Sequence, residues 1–220
     1  MKRQTSTLFH GYMNNLIATL IGAVLFLAGC QTCRTEANGN PMNCAYRHLL
    51  DNWASGKEGD SRRGYNIAAV LVNPDGKIEA KALNTVLASQ DCTAHAEMLL
   101  IQKYIQKHRC FNLKGYTVYT TLEPCAMCTM ALSMAGISAI YYGQTDLFFG
   151  KTSERMMMDT AQLNGYAPYP RVARTVLVQS PLQKELEMAF SKSGIKEITR
   201  WLATDEALLI IEKHLRCIPK

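Results

Sequence analysis

Two short motifs near the middle of this 220-residue chain constrain its fold and chemistry more than any other feature. The first contains His95 and Glu97, and the second runs Glu-Pro-Cys-Ala-Met-Cys from Glu123 to Cys128. One imidazole and two thiolates are a ligand set of catalytic zinc sites, in which the fourth position stays open for water. Structural zinc sites instead close that position with a fourth protein ligand. The spacing therefore predicts one catalytic zinc ion bound by His95, Cys125 and Cys128.

Each motif lies where a helix is expected to begin after a strand. Thr93 is predicted to cap a helix that runs from Ala94 to about Lys107, and Pro124 occupies a predicted first helical position. His95 and Glu97 are separated by about 200° around such a helix, so both reach one site only beyond its N-terminus. A carboxylate there can accept the proton that zinc-bound water releases. We expect Glu97 to be the catalytic proton carrier.

The rest of the chain alternates between strand and helix patterns. The predicted strands are Asn66–Val72, Ile78–Asn84, Tyr116–Thr121, Ile137–Gly143 and Arg174–Val178. The further predicted helices are 43–54, 126–135, 182–193, a stretch near 153–163 and two within 195–217, the last capped by Thr204. A turn at Asn73–Gly76 joins the first two strands as a hairpin. This alternation predicts an α/β fold in which helices cover one sheet.

The two motifs resemble the signature of the zinc-dependent nucleobase deaminases. Within that superfamily the chain is most similar to the bacterial tRNA-specific adenosine deaminases. The resemblance covers about residues 65–190. The segments that carry it are Ala69–Val72, Asn84, Thr93–Glu97, Tyr119–Cys128 and Tyr142–Asp146.

The resemblance implies roles for individual residues. It assigns zinc binding to the three ligands named above, proton transfer to Glu97 and substrate contact to Asn84, and it places the Ala96 backbone N–H near the attacked atom. Zinc-bound hydroxide would attack the amino-bearing carbon of a nucleobase, nucleoside or nucleotide, and ammonia would leave. One zinc ion per chain, a small-molecule substrate and a homodimer are the implied cofactor and partners.

The resemblance also implies a three-layer α/β/α fold with a five-stranded mixed sheet in the order 2-1-3-4-5. The long connection 144–173 suits a parallel pairing of the fourth and fifth strands, because a parallel return needs a crossover of about a dozen residues or more. The deaminase domain is predicted at 42–194. Residues 195–220 form a helical extension beyond a minimal domain.

Two departures bear on the substrate. Cys92 replaces a proline that is usual in the tRNA enzymes, and Leu147–Met158 does not follow their small-residue pattern. The pair Phe148–Phe149 and the run Met156–Met158 could line a substrate pocket or belong to a dimer face or core. Deamination of adenosine to inosine in tRNA is therefore the alternative function, and deamination of a nucleobase, nucleoside or nucleotide is the main one.

Residues 1–29 are predicted to be a lipoprotein signal peptide. Lys2 and Arg3 precede an uncharged apolar run, Leu16–Ala28, that is long enough for a signal and short for a membrane span. The segment Leu27-Ala28-Gly29-Cys30 resembles the lipobox of bacterial lipoproteins, in which the cysteine carries the lipid anchor. An uncleaved anchor or a core helix that ends in cysteine are the alternatives.

The same resemblance predicts a location on the bacterial cell envelope. Gln31 follows the cysteine where Asp would signal inner-membrane retention, so the outer membrane is favoured, and residues 30–41 read as a tether. An exported enzyme would not meet cytoplasmic tRNA, whereas an unused signal would leave the protein in the cytoplasm. A non-catalytic, zinc-stabilised envelope lipoprotein is a further alternative, against which Glu97 argues.

Composition excludes several classes of protein. With 19% charged and 8% aromatic residues, the chain is neither wholly disordered, nor a collagen, nor a coiled coil. Its net charge of +6 falls to +4 without Lys2 and Arg3. A positive surplus this small is weak evidence for nucleic-acid binding. Eight cysteines are too few for a disulfide scaffold of this length. Five remain without a predicted role, and their pairing stays open: Cys33, Cys44, Cys92, Cys110 and Cys217.

Overall fold

One mixed sheet forms the centre of the computed structural model, which describes residues 39–54, 65–152 and 172–217. Its strand order is β2-β1-β3-β4-β5. Strand β1 pairs antiparallel with β2 and β3, whereas β3–β4 and β4–β5 are parallel. The predicted order and the parallel pairing of the last two strands are confirmed. The strands are β1 (Ala68–Val72), β2 (Ile78–Leu83), β3 (Thr117–Thr120), β4 (Ala139–Tyr142) and β5 (Arg174–Leu177).

Helices cover both faces of this sheet, as the predicted three-layer fold requires. They are α1 (Pro41–Leu50), α2 (Val86–Ser89), α3 (Ala96–His108), α4 (Ala126–Met134), α5 (Pro181–Lys192), α6 (Ile198–Trp201) and α7 (Asp205–Arg216). Side chains of Asn40, Ser180 and Thr204 accept backbone N–H bonds at the starts of α1, α5 and α7. The cap predicted at Thr204 is confirmed. The short helix α2 was not predicted, because a single turn has no apolar period to detect.

The two helices that carry the motifs begin later than predicted. Thr93 does not cap α3, because its amide and hydroxyl both bond to Asp91 Oδ1, at 2.8 and 2.7 Å. His95 is the N-cap of α3, in extended backbone. In the same way Cys125 is the N-cap of α4, so Pro124 precedes the helix and is not its first residue. Two predicted metal ligands thus occupy N-cap positions, where the side chain lies beyond the helix end.

The core is built around β1, whose five residues are all buried. Leu71 packs in one apolar cluster with residues from α3 and β4 and with the C-terminal residues Leu186, Trp201 and Ile211. Trp201 has no exposed surface, and its ring lies 5.7 Å from that of Phe190. The described part of the extension beyond residue 194 therefore shares the core of the deaminase domain.

Several predictions concern residues outside the described ranges. These are the signal peptide 1–29, lipidation of Cys30, most of the tether, Cys33, the helix near 153–163 and the placement of Met156–Met158. Within the described ranges, no helix combines the length and apolar character needed to cross a membrane.

Candidate active site

The N-terminal ends of α3 and α4 meet beside the end of β3, and this junction brings the two motifs together. His95 and Cys125 are the N-caps of the two helices, and Cys128 lies in the first turn of α4. Cys128 is fully buried, while the other two side chains are partly exposed. The side chains predicted to bind zinc therefore converge from two helix ends at one edge of the sheet.

The donor atoms of these three residues fit a tetrahedral zinc ion. The Sγ atoms of Cys125 and Cys128 are 3.7 Å apart, and His95 Nδ1 is 3.8 Å from Cys125 Sγ. All three donor atoms lie within 4.8 Å of one another. Zinc–sulfur bonds of about 2.3 Å at a tetrahedral angle separate two sulfurs by about 3.8 Å. The three side chains can therefore bind one ion with little rearrangement.

The protonation of the two thiols is coupled. The hydrogen bond with the Cys128 thiol lowers the pKa of Cys125 to about 4, and burial opposes this effect. The same contact, together with burial, raises the pKa of Cys128. The Cys125 sulfur raises the pKa of His95 through their hydrogen bond. Metal binding would require both groups as thiolates, so it would displace the proton from the thiol that is still protonated.

Glu97 lies beside this donor set and is 3% exposed. Its Oε1 accepts a 2.5 Å hydrogen bond from Thr120 Oγ1 at the end of β3. Its Oε2 is 3.6 Å from Cys128 Sγ. Burial raises the pKa of this carboxyl, and the Thr120 bond opposes that shift. The carboxylate is therefore fixed on one side and faces a candidate metal ligand on the other.

A cavity of about 590 Å³ opens next to these residues. Asn84 lines it and is 1% exposed. Its Oδ1 accepts the N–H groups of Tyr65 and Val86, at 3.2 and 3.1 Å. Its Nδ2 is buried without a hydrogen-bond partner among the described residues. Because an unpaired buried amide is costly, this group is suited to bind an acceptor atom of a ligand.

Ala96 is the first residue of α3 and is fully buried. The N–H groups of a first helical turn have no partner within the helix. The predicted contribution of this backbone group to a ligand is therefore compatible with its place in the fold.

Glu123, part of the second motif, organises the loop at the cavity mouth. Its carboxylate accepts the N–H groups of Asp146 and Lys151, at 3.1 and 2.7 Å. A Cβ on Gly150 would overlap this carboxylate, so the loop requires glycine there. Asp146 Oδ1 in turn accepts the backbone N–H groups of the residues two and three positions further on, at 2.9 and 3.1 Å. The sequence motif gave no indication of this structural role.

The same loop presents two aromatic side chains at the cavity. Phe148 and Phe149 line it and are 57% and 68% exposed. An exposed aromatic ring beside a ligand cavity offers a stacking surface for a planar base. The pair therefore lines the candidate cavity and lies outside the core, whereas its roles in substrate binding and in a dimer face stay predictions.

The C-terminal extension also reaches the cavity, which the sequence did not predict. Glu197, Ile198 and Thr199 line it, together with the predicted site residues. No motif marks these three residues, and their approach depends on how α6 packs. Cys92, which stands where the tRNA enzymes have proline, lines the cavity as well.

Comparison with known proteins agrees with this geometry. Residues 42–144 match the family model of the cytidine and deoxycytidylate deaminase zinc-binding region. The tRNA-specific adenosine deaminase of Agrobacterium fabrum is 42% identical over 80 residues, which are 36% of this chain and 52% of that protein. The enzyme of the same name from Rickettsia bellii is 30% identical over 97 residues, or 44% and 67% of the two chains.

A solved structure from a study of A-to-I editing by tRNA:A34 deaminases is 32% identical. The match covers 51% of this chain and 82% of that one, with a TM-score of 0.43. The chain spans about half the length of several bacterial relatives that it matches. The chain belongs to the cytidine and deoxycytidylate deaminase family, and it contains that family's zinc-binding region with His95, Cys125 and Cys128 as the residues able to hold the ion.

Proposed function

We propose that this protein is a zinc-dependent hydrolytic deaminase, which exchanges the amino group of a purine or pyrimidine ring for oxygen and releases ammonia. The position of Glu97 carries the proposal. A buried carboxylate lies 3.6 Å from a ligand sulfur at the edge of a cavity of about 590 Å³. A purely structural zinc site has no need of such a group. When bound, zinc supplies the Lewis acidity that makes water nucleophilic near neutral pH.

The protein's own groups divide the remaining work. Glu97 takes up the two protons of the reacting water at Oε2 one after the other, and it passes the first to the ring nitrogen and the second to the departing amine. Thr120 fixes its other oxygen. Asn84 Nδ2 donates to an acceptor on the substrate, because its oxygen is already committed to the backbone. The overall reaction consumes one water and produces one carbonyl group and one ammonia.

Adenosine in tRNA is the substrate that the sequence relatives favour. Several of them are tRNA-specific adenosine deaminases, and they share 30–42% identity with the matched segment. A free base or nucleoside is the other candidate, favoured by the departures at Cys92 and in the loop after Asp146. A non-catalytic zinc protein is the alternative to both.

The location of the protein decides which substrates it meets. We propose that residues 1–29 direct export and that Cys30 carries a lipid in the bacterial envelope, on the basis of the lipobox-like segment. Cell fractionation of the full-length protein and of Cys30→Ser tests this. Membrane association that Cys30→Ser abolishes is expected, and a cytosolic wild-type protein would contradict export and favour the tRNA substrate.

The homodimer implied by the family resemblance is also part of the proposal. Light scattering on the purified zinc-loaded protein measures the mass directly, and a monomer at micromolar concentration would contradict it.

Activity is tested on the zinc-loaded protein by ammonia release. The panel contains adenosine, guanosine, cytidine, their free bases and an adenosine-containing tRNA anticodon stem-loop. Release from at least one of these, lost in Glu97→Gln and kept in Glu212→Gln, is expected. Glu212 is a suitable control because it forms an exposed ion pair with Arg216 on α7 and does not line the cavity.

A further inference from the structure

We propose that Glu197 determines substrate specificity, and that its wall of the cavity accepts the neutral, hydrogen-bond-donating face of a base or nucleoside in preference to a phosphate group. The inference rests on the proposed function only in taking the ligand to be a nucleobase derivative. It gives the C-terminal extension a part in the site.

The placement of the extension is fixed by packing. Ile198, which lines the cavity, and Trp201, which follows the lining segment, are both buried in the main core. The Leu202 carbonyl accepts a 3.3 Å hydrogen bond from Asn66 Nδ2, directly before the cavity residue Ile67. Because buried residues anchor this segment within it and directly after it, its wall of the cavity is part of the folded domain.

The Glu197 carboxylate is oriented by a neighbour on the same helical turn. Its Oε2 is 3.1 Å from Arg200 Nε, and the Glu197 side chain is 51% exposed. An ion pair at an exposed position contributes little to stability, but it restricts where the carboxylate points. A carboxylate accepts hydrogen bonds and offers none, so its partner on a ligand must be a donor such as a hydroxyl or an N–H group.

The other carboxylates of the cavity are committed to the protein. Backbone N–H groups bind both oxygens of Glu123 and one oxygen of Asp146. Glu97 is bound by Thr120. Glu197 differs from these three, because its protein contact is the exposed side chain of Arg200.

The charge of the cavity opposes phosphate. Four acidic residues line it, and no Lys or Arg does so within the described parts of the chain. A phosphate group would be desolvated against this negative surface, and the neighbouring cation, Arg200, is already paired with Glu197, so its burial there is costly. Sugar hydroxyls and ring N–H groups meet no such penalty.

Binding measurements separate this inference from the proposed function. The probes are adenosine, guanosine and cytidine and their 5′-monophosphates, titrated calorimetrically into the zinc-loaded Glu97→Gln protein, which holds ligand without turnover. We expect at least one nucleoside to bind about tenfold more tightly than its monophosphate, a typical effect of one unfavourable charge contact. In the double variant that also carries Glu197→Gln, the nucleoside should bind only about twofold more tightly than its monophosphate, or less.

Two further variants guard the interpretation. Glu212→Gln removes a matched exposed ion pair on the same extension and should leave the ratio unchanged. Glu197→Asp keeps the charge and should preserve the preference. In the active protein, Glu197→Gln should raise the KM of the nucleoside several-fold and leave kcat within about twofold.

Equal binding of nucleoside and monophosphate, absence of binding by every probe, or a ratio insensitive to Glu197→Gln would each overturn the inference. Selective binding without ammonia release from the protein with Glu97 intact would instead contradict the proposed function alone.

Discussion

Thr120 Oγ1 donates a 2.5 Å hydrogen bond to Glu97 Oε1, and both side chains are buried. Thr120 is the last residue of β3, and Glu97 lies in the first turn of α3. The bond therefore links the sheet to the helix that carries the proposed proton carrier. It fixes one carboxylate oxygen and leaves the other facing the candidate metal ligands.

Removing this hydroxyl should disturb catalysis more than folding. We expect Thr120→Val to lower kcat about tenfold, because a freed carboxylate loses its fixed orientation. Thr120→Ser, which keeps a hydroxyl at the same position, should recover most of the loss. Steady-state kinetics with both variants measures the effect. Equal kcat in wild type and Thr120→Val would show that the bond does not position Glu97.

Zinc binding should depend on the two N-cap ligands and on Cys128. We expect His95→Ala or Cys128→Ser to lower the zinc content well below one per chain and to lower Tm, since a ligand of the folded state stabilises it. Cys217→Ser changes an exposed thiol and should keep full zinc. Elemental analysis and thermal melts of the three proteins provide the measurement. Full zinc content in Cys128→Ser would contradict the assigned ligand set.

The aromatic pair at the cavity mouth should contribute to substrate binding and not to stability. Phe148→Ala and Phe149→Ala are each expected to raise KM about five- to tenfold, because stacking on a base contributes roughly 1–3 kcal/mol. Tm should stay close to that of the wild type, since both rings are largely exposed. Phe111→Ala is the matched control, because this exposed ring does not line the cavity. A KM unchanged in both variants would exclude a stacking role.

Acid should weaken the contact between the two long C-terminal helices. Glu185 on α5 is 2.6 Å from His214 Nε2 and 3.0 Å from Lys213 Nζ on α7, and these bonds lower the pKa of Glu185 below 4.5. A lowered folded-state pKa stabilises the fold above the unfolded value, near 4.5, and this contribution is lost as pH falls through the folded value.

Glu185→Gln should therefore lower the free energy of unfolding at pH 7 and have no effect in acid below the folded pKa. Urea titrations across this range measure the difference, with Glu187→Gln on the same helix as the charge control. A destabilisation by Glu185→Gln that persisted unchanged at pH 2 would contradict the assignment.

The sheet was predictable because β-branched and aromatic residues mark its strands and because the family resemblance supplies the strand order. The start of α3 was not predictable, since Asp91 binds the amide and the hydroxyl of Thr93, and the cap moves to His95. No local pattern signals that competition. The residue types of the two motifs were sufficient to indicate a metal centre before the structure placed them together.

The wider site was less accessible to sequence reasoning. The organisation of the mouth loop by Glu123 joins residues more than twenty positions apart. The approach of Glu197 depends on the burial of Trp201 and Leu202 in the core. Contacts of this kind arise from packing between distant segments, so neither periodicity nor a short motif reports them.

The central claim is that Glu97 moves protons beside a zinc ion bound by His95, Cys125 and Cys128. The most direct test measures zinc content and ammonia release together, in wild type and in Glu97→Gln, across the panel of bases, nucleosides and the anticodon stem-loop. The account predicts one zinc per chain in both proteins and a loss of about a thousandfold in kcat in the variant, within the range of general acid–base catalysis. Full activity in Glu97→Gln, or no ammonia from fully zinc-loaded wild type with any substrate, would contradict it.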